Sequence, residues 1–189
     1  MISAILLAAG KSERMNNENK LLKKINDISL VSHSIKNILA SSIDELIIVL
    51  GFQKEKIENV IEKNKKIKIV INEKYENGMS SSIITGLNNL SKNTEAFFIC
   101  LSDMPFVSKK VYNKLILNKN YKDIIVPTYK KQQGNPVLFS INMKKQIMNI
   151  KGDSGAKKIL ELNKDKILNI EIDHSGIIQN FNTVSDFNS

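Results

Sequence analysis

Cysteine occurs once in the 189 residues, so no internal disulfide can form. Cys100 lies in the apolar run Phe97-Phe98-Ile99-Cys100-Leu101. A buried structural thiol is expected there, because apolar surroundings raise the thiol pKa and suppress nucleophilicity. Tryptophan is absent while asparagine, isoleucine and lysine abound, a bias that weakens any argument from a single lysine. No apolar stretch approaches the about 20 residues that a membrane-spanning helix needs. Met1-Ile2-Ser3 carries no basic leader, so a cytoplasmic protein is expected. The two histidines, His33 and His174, have no ligand partner at metal-binding spacing, and no Ser/His/Asp set can be assembled. Chemistry that works by positioning and charge neutralisation needs neither.

Also missing are repeats, low-complexity linkers and composition breaks, so residues 1–189 read as one domain. The net charge is +9, but the lysines are scattered over predicted helices and loops. That pattern describes a solvated surface rather than a duplex-binding stripe, and nucleic acid is not expected as a partner.

What is present is an alternation of apolar runs with amphipathic stretches. Strands are predicted at Ile2 to Leu7, Glu45 to Leu50, Ile67 to Ile71 and Ala96 to Leu101. Helices are predicted at Leu30 to Ala40, Lys54 to Glu62, Ser80 to Leu90 and Lys109 to Leu117. Farther on, strands are expected at Asp123 to Pro127 and Pro136 to Phe139, flanking a polar loop. Helices follow near Met143 to Met148 and Ser154 to Leu162, then short strands at Ile167 to Ile172 and Ile177 to Phe181 and a terminal turn of helix. The order implies a Rossmann-like α/β fold, with a mostly parallel, partly mixed central sheet flanked by helices. Ligands of such sheets bind at the carboxyl ends of strands, near the point where the strand order reverses.

Polar, glycine-bearing segments fall at those ends. The first strand runs into Leu7-Ala8-Ala9-Gly10-Lys11-Ser12-Glu13-Arg14-Met15, with Lys20 shortly after. Small residues let a ligand approach the backbone, whose N–H groups form an anion-binding concavity. Lys11, Arg14 and Lys20 add full positive charges, so the segment reads as a polyphosphate cradle. It is neither a Walker loop nor a dinucleotide fingerprint, since the required further glycines are absent. The third strand ends at Asn72-Glu73, ahead of Gly78-Met79-Ser80-Ser81-Ser82. One serine suffices as a helix cap, and the others are available to bind ribose, base or phosphate. The fourth ends at Ser102-Asp103-Met104-Pro105, where Asp103 is either a turn former or a carboxylate ligand for Mg²⁺, which takes one or two carboxylates plus phosphate oxygens and water. Two later turns, Gly134-Asn135-Pro136 and Gly152-Asp153-Ser154-Gly155, are open between turn chemistry and ligand contact.

Together these segments resemble the molybdenum cofactor nucleotidyltransferases, over essentially the whole chain, and most closely their cytidylyltransferase branch. The opening motif has Ala8-Ala9-Gly10, where the guanylyl branch typically has Ala-Gly-Gly. The resemblance implies an enzyme in which the terminal phosphate of the molybdopterin cofactor attacks the α-phosphorus of CTP, releasing pyrophosphate. It implies that Lys11 and Arg14 neutralise the β- and γ-phosphates, that Lys20 acts near the α-phosphate, and that Asp103 holds Mg²⁺. Nucleotide contacts are implied for Leu7, Ala8, Ala9, Gly10, Ser12, Asn72, Gly78, Ser80, Ser81 and Ser102. The pterin side falls to Gly134, Asn135, Pro136, Gly152, Asp153, Ser154 and Gly155. Implied partners are CTP or another nucleoside triphosphate, a phosphorylated pterin cofactor and a recipient molybdenum hydroxylase. Two positions depart from the pattern: Asn16 replaces the usual glycine, and Asn180-Phe181-Asn182-Thr183 replaces Asp-x-Asp-Thr, leaving Asn180 and Asn182 as uncharged candidate metal contacts. Another small-substrate nucleotidyltransferase (guanylyl, sugar-phosphate or isoprenoid cytidylyl) and a non-catalytic basic binding module are the competing readings.

Overall fold

The structure, a computed structural model, describes residues 1–11, 19–150, 152 and 157–181. The strands are β1 (Ile2–Ala8), β2 (Lys24–Ile25), β3 (Ile28–Ser29), β4 (Glu45–Leu50), β5 (Ile67–Ile71), β6 (Ala96–Leu101), β7 (Ile124–Tyr129), β8 (Gln132–Gln133), β9 (Val137–Ser140) and β10 (Ile167–Glu171). The α-helices are α1 (Leu30–Leu39), α2 (Lys54–Glu58), α3 (Met79–Asn88), α4 (Lys109–Leu117), α5 (Lys144–Ile147) and α6 (Lys157–Leu162). The main sheet has the order β10-β7-β9-β6-β1-β4-β5, with β8 paired to β7. β1 pairs in parallel with β4 and β6, β4 with β5, and β7 with β10, while β9 runs antiparallel to β6 and β7. This is a single α/β domain with a mostly parallel sheet.

Alternation along the strands feeds two cores. Ala4, Leu6, Leu46, Ile48, Phe98 and Cys100 point to one face, which is covered by Val31, Ile35 and Ile38 of α1 and by Val111 and Leu115 of α4. Ile5, Leu7, Ile47, Val49, Phe97 and Ile99 point to the other, covered by Ile83 and Leu87 of α3, Ile147 and Ile159. Both faces are buried, so the central strands are near-continuous apolar runs. Ser3 is the exception in β1. Fully buried, it bonds Glu45 Oε2 and Thr94 Oγ1, each at 2.9 Å, which satisfies its hydroxyl. Cys100 is buried as expected, and loss of hydration pushes its thiol up to about 12 against a lowering hydrogen bond from Tyr112.

α3 approaches β1 closely because Gly86 has no side chain. A Cβ there would collide with Ile5 Cγ2. Gly86→Ala gains roughly 1 kcal/mol in helix propensity. The overpacking cost of about 1–3 kcal/mol outweighs that gain. The variant is expected to unfold at lower urea concentration, and an unchanged or higher midpoint would mean that α3 can step back from β1.

Four features differ from the sequence reading. α2 stops at Glu58 instead of Glu62, and Val60 and Ile61 continue only as i to i+3 turns. A small hairpin, β2–β3, precedes α1 around Asn26 and Asp27, both at positive φ. The polar loop before Asn135 contains the short strand β8. Ile177 to Phe181 is not a strand. Ser175–Ile177 forms a single 3₁₀ turn capped by His174 Nδ1, and the Ile177 carbonyl accepts from Asn135 N at 2.8 Å, so the segment packs as a corner. The expected start of the helix at Ser154 and the terminal helical turn lie outside the described residues.

Candidate functional site

The chain leaves β1, steps outward through β4 to β5, and returns to β6 on β1's other side. The strand order therefore reverses at β1, and the carboxyl ends of β1 and β6 frame a crevice. A cavity of about 360 Å³ opens there. It is lined by Leu7, Ala9, Gly10 and Lys11 after β1, Lys20 and Leu21, Leu101, Ser102 and Asp103 after β6, and Tyr75, Glu76, Gly78, Met79 and Ser82 around the start of α3.

Each charged side chain has a local scaffold. Lys20 opens a 3₁₀ turn (Lys20–Leu22) capped by Asn19, whose side-chain oxygen accepts from Leu21 N at 3.1 Å, while buried Leu21 anchors the turn. Asp103 is fixed by its neighbours. Ser102 Oγ donates to Leu7 O at 2.6 Å, tying β6 to β1 beyond the end of their ladder. Ser34 Oγ on α1 donates to Ser102 O at 3.1 Å, and Asn37 Nδ2 donates to Pro105 O at 2.8 Å. Phe181 N donates to Asp103 O at 3.0 Å, and the Phe181 ring packs edge-on against Phe106 at 5.6 Å. Exposed Asn180 is thereby brought to the loop of Asp103.

Lys20 Nζ and Asp103 Oδ2, 83 positions apart, meet at 2.7 Å, with the side chains 19% and 16% exposed. Lys11, which also lines the cavity, has its Nζ 2.7 Å from Glu76 Oε1. Among the described residues the cavity thus holds two lysines, two carboxylates and the backbone of Ala9 and Gly10. A Cβ on Gly10 would meet nothing within 4 Å, so this glycine leaves the backbone open rather than relieving a clash. Gly78, at φ 87°, makes the sharp entry into α3 that only glycine takes without strain.

Not every expected site residue lines the cavity. Ala8 is buried under the cradle. Asn72, 3% exposed, turns inward: its Nδ2 donates to Ser81 Oγ at 2.8 Å and Ser82 Oγ at 3.0 Å, and its Oδ1 accepts from Lys74 N at 3.0 Å. Ser81 Oγ reaches Lys74 O at 2.9 Å and Gly78 O at 2.8 Å, one hydroxyl proton shared between two carbonyls. Asn72 and Ser81 thus brace the turn that carries Tyr75 and Glu76. Ser80 is buried, and its N–H donates to Gly152 O at 3.1 Å, which draws Gly152 to the head of α3 beside the cavity. Gly134, Asn135 and Pro136 lie under the corner at Ile177; a Cβ on Gly134 would strike the Ile177 carbonyl. Ser12, Arg14, Asp153, Ser154, Gly155 and Asn182 fall outside the described residues. Sequence reasoning missed Tyr75, Glu76, Leu21, Leu101 and the wall positions of Met79 and Ser82. The polar stretch between Asn72 and Gly78 was the only pointer to the first two.

Neither histidine enters the cavity. His33 Nε2 bonds Ile25 O at 2.9 Å, and His174 caps its turn. Among the described residues no cluster of three or more His, Cys, Asp or Glu side chains could hold a metal by itself. Asp103 nevertheless offers a hard carboxylate oxygen, and the Phe181 N–H on its carbonyl draws the chain at Asn180 to the same loop. Such an oxygen suits a Mg²⁺-like ion that takes few protein ligands and completes its shell from phosphate and water. Among the described residues no helix is long and apolar enough to cross a membrane.

Residues 4–167 match the family model described as the MobA-like NTP transferase domain. The chain belongs to that family. It is 28% identical over 152 residues to a probable molybdenum cofactor guanylyltransferase of Methanosarcina acetivorans, covering 78% of this chain and 66% of the relative's length. Among solved structures, the Rv0371c protein of Mycobacterium tuberculosis superposes with a TM-score of 0.87 at 21% identity, covering 99% of this chain and 95% of that one, and it has also been solved in complex with manganese. The 4-diphosphocytidyl-2C-methyl-D-erythritol synthase of Anaerococcus prevotii superposes at 0.79 with 16% identity, covering 98% and 92% of the two chains. At these identities the superpositions speak for the fold.

Proposed function

We propose that residues 1–189 act as one nucleotidyltransferase unit that moves a nucleoside monophosphate from a nucleoside triphosphate onto a phosphorylated molybdopterin cofactor, with CTP as donor and Mg²⁺ as metal. The observation that carries the reading is the Lys20–Asp103 pair at the carboxyl ends of β1 and β6, beside the Ala9-Gly10-Lys11 backbone. In this reading an acceptor phosphate oxygen bonds to the α-phosphorus, the bond from α-phosphorus to the bridging oxygen breaks, and pyrophosphate leaves with that electron pair. A phosphomonoester is largely dianionic near neutral pH, since its second pKa is about 6, so no general base is needed. Lys20 offsets charge that builds on the α-phosphate, and Lys11 and Arg14 hold the departing phosphates. Asp103 and Asn180, with Asn182, would hold the metal ion, which when bound neutralises charge shared between phosphates. Gly152, drawn to the head of α3, is the turn best placed to meet the acceptor. The deciding assay is pyrophosphate release from each nucleoside triphosphate with molybdopterin present and absent.

The base assignment rests on Ala9. It lines the cavity, and a Cβ added to the neighbouring Gly51 would lie 2.8 Å from the Cβ atoms of both Ala9 and Tyr75, so these two side chains flank that glycine. An aromatic ring at the cavity wall is a stacking surface for a base. The Ala9 methyl adds bulk close to the ligand-facing backbone, which suits the smaller pyrimidine. A second reading, GTP as donor, is favoured by the guanylyltransferase name of the Methanosarcina acetivorans relative. Ala9→Gly separates them. With CTP as the true donor, the ratio of kcat/KM for CTP over GTP should fall about tenfold, the scale of a methylene-sized difference at about 1–3 kcal/mol. A wild-type protein that uses GTP as well as CTP, or a ratio unmoved by the substitution, rejects the cytidylyl assignment.

A further inference from the structure

Nucleotidyl transfer does not by itself account for Glu76. A carboxylate in a cavity that receives a polyanion repels its ligand, because like charges a few ångströms apart oppose one another even in a solvated site. Yet Glu76 Oε1 stands 2.7 Å from Lys11 Nζ inside the cavity wall. Stability is a poor reason for the pair. The side chains are 63% and 40% exposed, and exposed ion pairs contribute little to folding. The backbone beneath is, by contrast, well fixed. Asn72 Oδ1 holds Lys74 N, Ser81 Oγ reaches the carbonyls of Lys74 and Gly78, and Gly78 makes its left-handed turn directly after. A braced turn therefore aims a solvated carboxylate at the lysine that follows the cradle.

We propose that Glu76 is a counter-anion that occupies Lys11 until a polyphosphate displaces it, so that the site discriminates by phosphate-chain length. The idea rests on Lys11 serving the β- and γ-phosphates. A triphosphate or pyrophosphate brings several negative charges to Lys11 and displaces one carboxylate. A monophosphate held by Lys20 alone leaves the pair in place. In the reverse direction Glu76 regains Lys11 as pyrophosphate departs, which eases product release. No covalent bond changes in this exchange, and the pair is weak enough to open on each turnover.

The test is Glu76→Gln, which keeps the shape and removes the charge, with binding measured by calorimetry for pyrophosphate, CTP, GTP and CMP and without any pterin. Pyrophosphate and the triphosphates are expected to bind about two- to fivefold tighter, the range of an exposed pair. CMP should bind unchanged, and the gain should shrink as salt rises. Pyrophosphate dissociation should slow in parallel. Unchanged pyrophosphate affinity, or an equal gain for CMP, overturns the proposal. Lys11→Ala tells the two levels apart. If it weakens pyrophosphate binding while Glu76→Gln does nothing, only the counter-anion role fails. If it leaves pyrophosphate binding unaltered, the phosphate cradle fails as well.

Discussion

Asp103→Asn is expected to keep its fold and lose about a thousandfold in turnover, since metal-borne charge stabilisation is worth several kcal/mol and each 1.36 kcal/mol is a factor of ten. Two losses combine in the one change. The amide removes the charged oxygen offered to a divalent ion, and it removes the anionic partner that Lys20 holds at 2.7 Å. The fold should tolerate the change. The loop is held by Ser102, Ser34 and Asn37 through backbone carbonyls, and Phe181 bonds the Asp103 carbonyl rather than its side chain. Pyrophosphate release and thermal unfolding should be measured on the same sample. Near-normal turnover rejects Asp103 as the metal-holding residue, and a collapsed melting curve would assign it to the fold instead.

Lys20→Ala is expected to lower kcat about a hundred- to a thousandfold with a smaller effect on KM for the nucleotide. Removing one preorganised donor from a developing negative charge costs about 2.7–4 kcal/mol. The lysine is mostly shielded, at 19% exposure, so solvent cannot easily replace its charge. The alternative is that Lys20 only orients Asp103. In that case raising the metal concentration should restore the alanine variant, and its losses should vanish in an Asp103→Asn background. Residues that act as a unit are strongly non-additive, so the double variant is informative either way. A Lys20→Ala enzyme with wild-type kcat removes Lys20 from the chemistry.

The central strands were legible because burial on both faces leaves a plain signature. Glu45–Leu50, Ile67–Ile71 and Ala96–Leu101 appear with the ends read from their apolar runs, and α4 likewise. The late chain was not, because its conformation is set by distant partners. Ile177 and Phe181 look like strand residues, but the first gives its carbonyl to Asn135 and the second packs on Phe106. The hairpin before α1 was hidden by its length, two residues a side, although Asn26-Asp27 is suitable turn chemistry. At the site, the strand ends and glycine turns could be read, since small residues after apolar runs have few other uses. Pairings could not be. Nothing local to Lys20 names Asp103, and nothing local to Lys11 names Glu76. Asn72 and Ser81 looked like ligand contacts because polar residues that brace a turn and polar residues that bind have the same composition.

The two-sided burial of β1 has a consequence for how such a site can change over time. Six of the seven side chains from Ile2 to Ala8 pack into one core or the other, and the seventh, Ser3, is buried in hydrogen bonds to Glu45 and Thr94, so the strand offers no position at which a substitution is invisible to packing. The floor of the cavity is therefore closed to gradual drift. Novelty has to enter at the rim, in the turn of Tyr75–Asn77, whose side chains are exposed or half-buried and belong to neither core. An altered donor base would be reached most readily by mutations confined to that short turn, and a library restricted to it would sample changes in specificity while leaving the sheet's packing untouched.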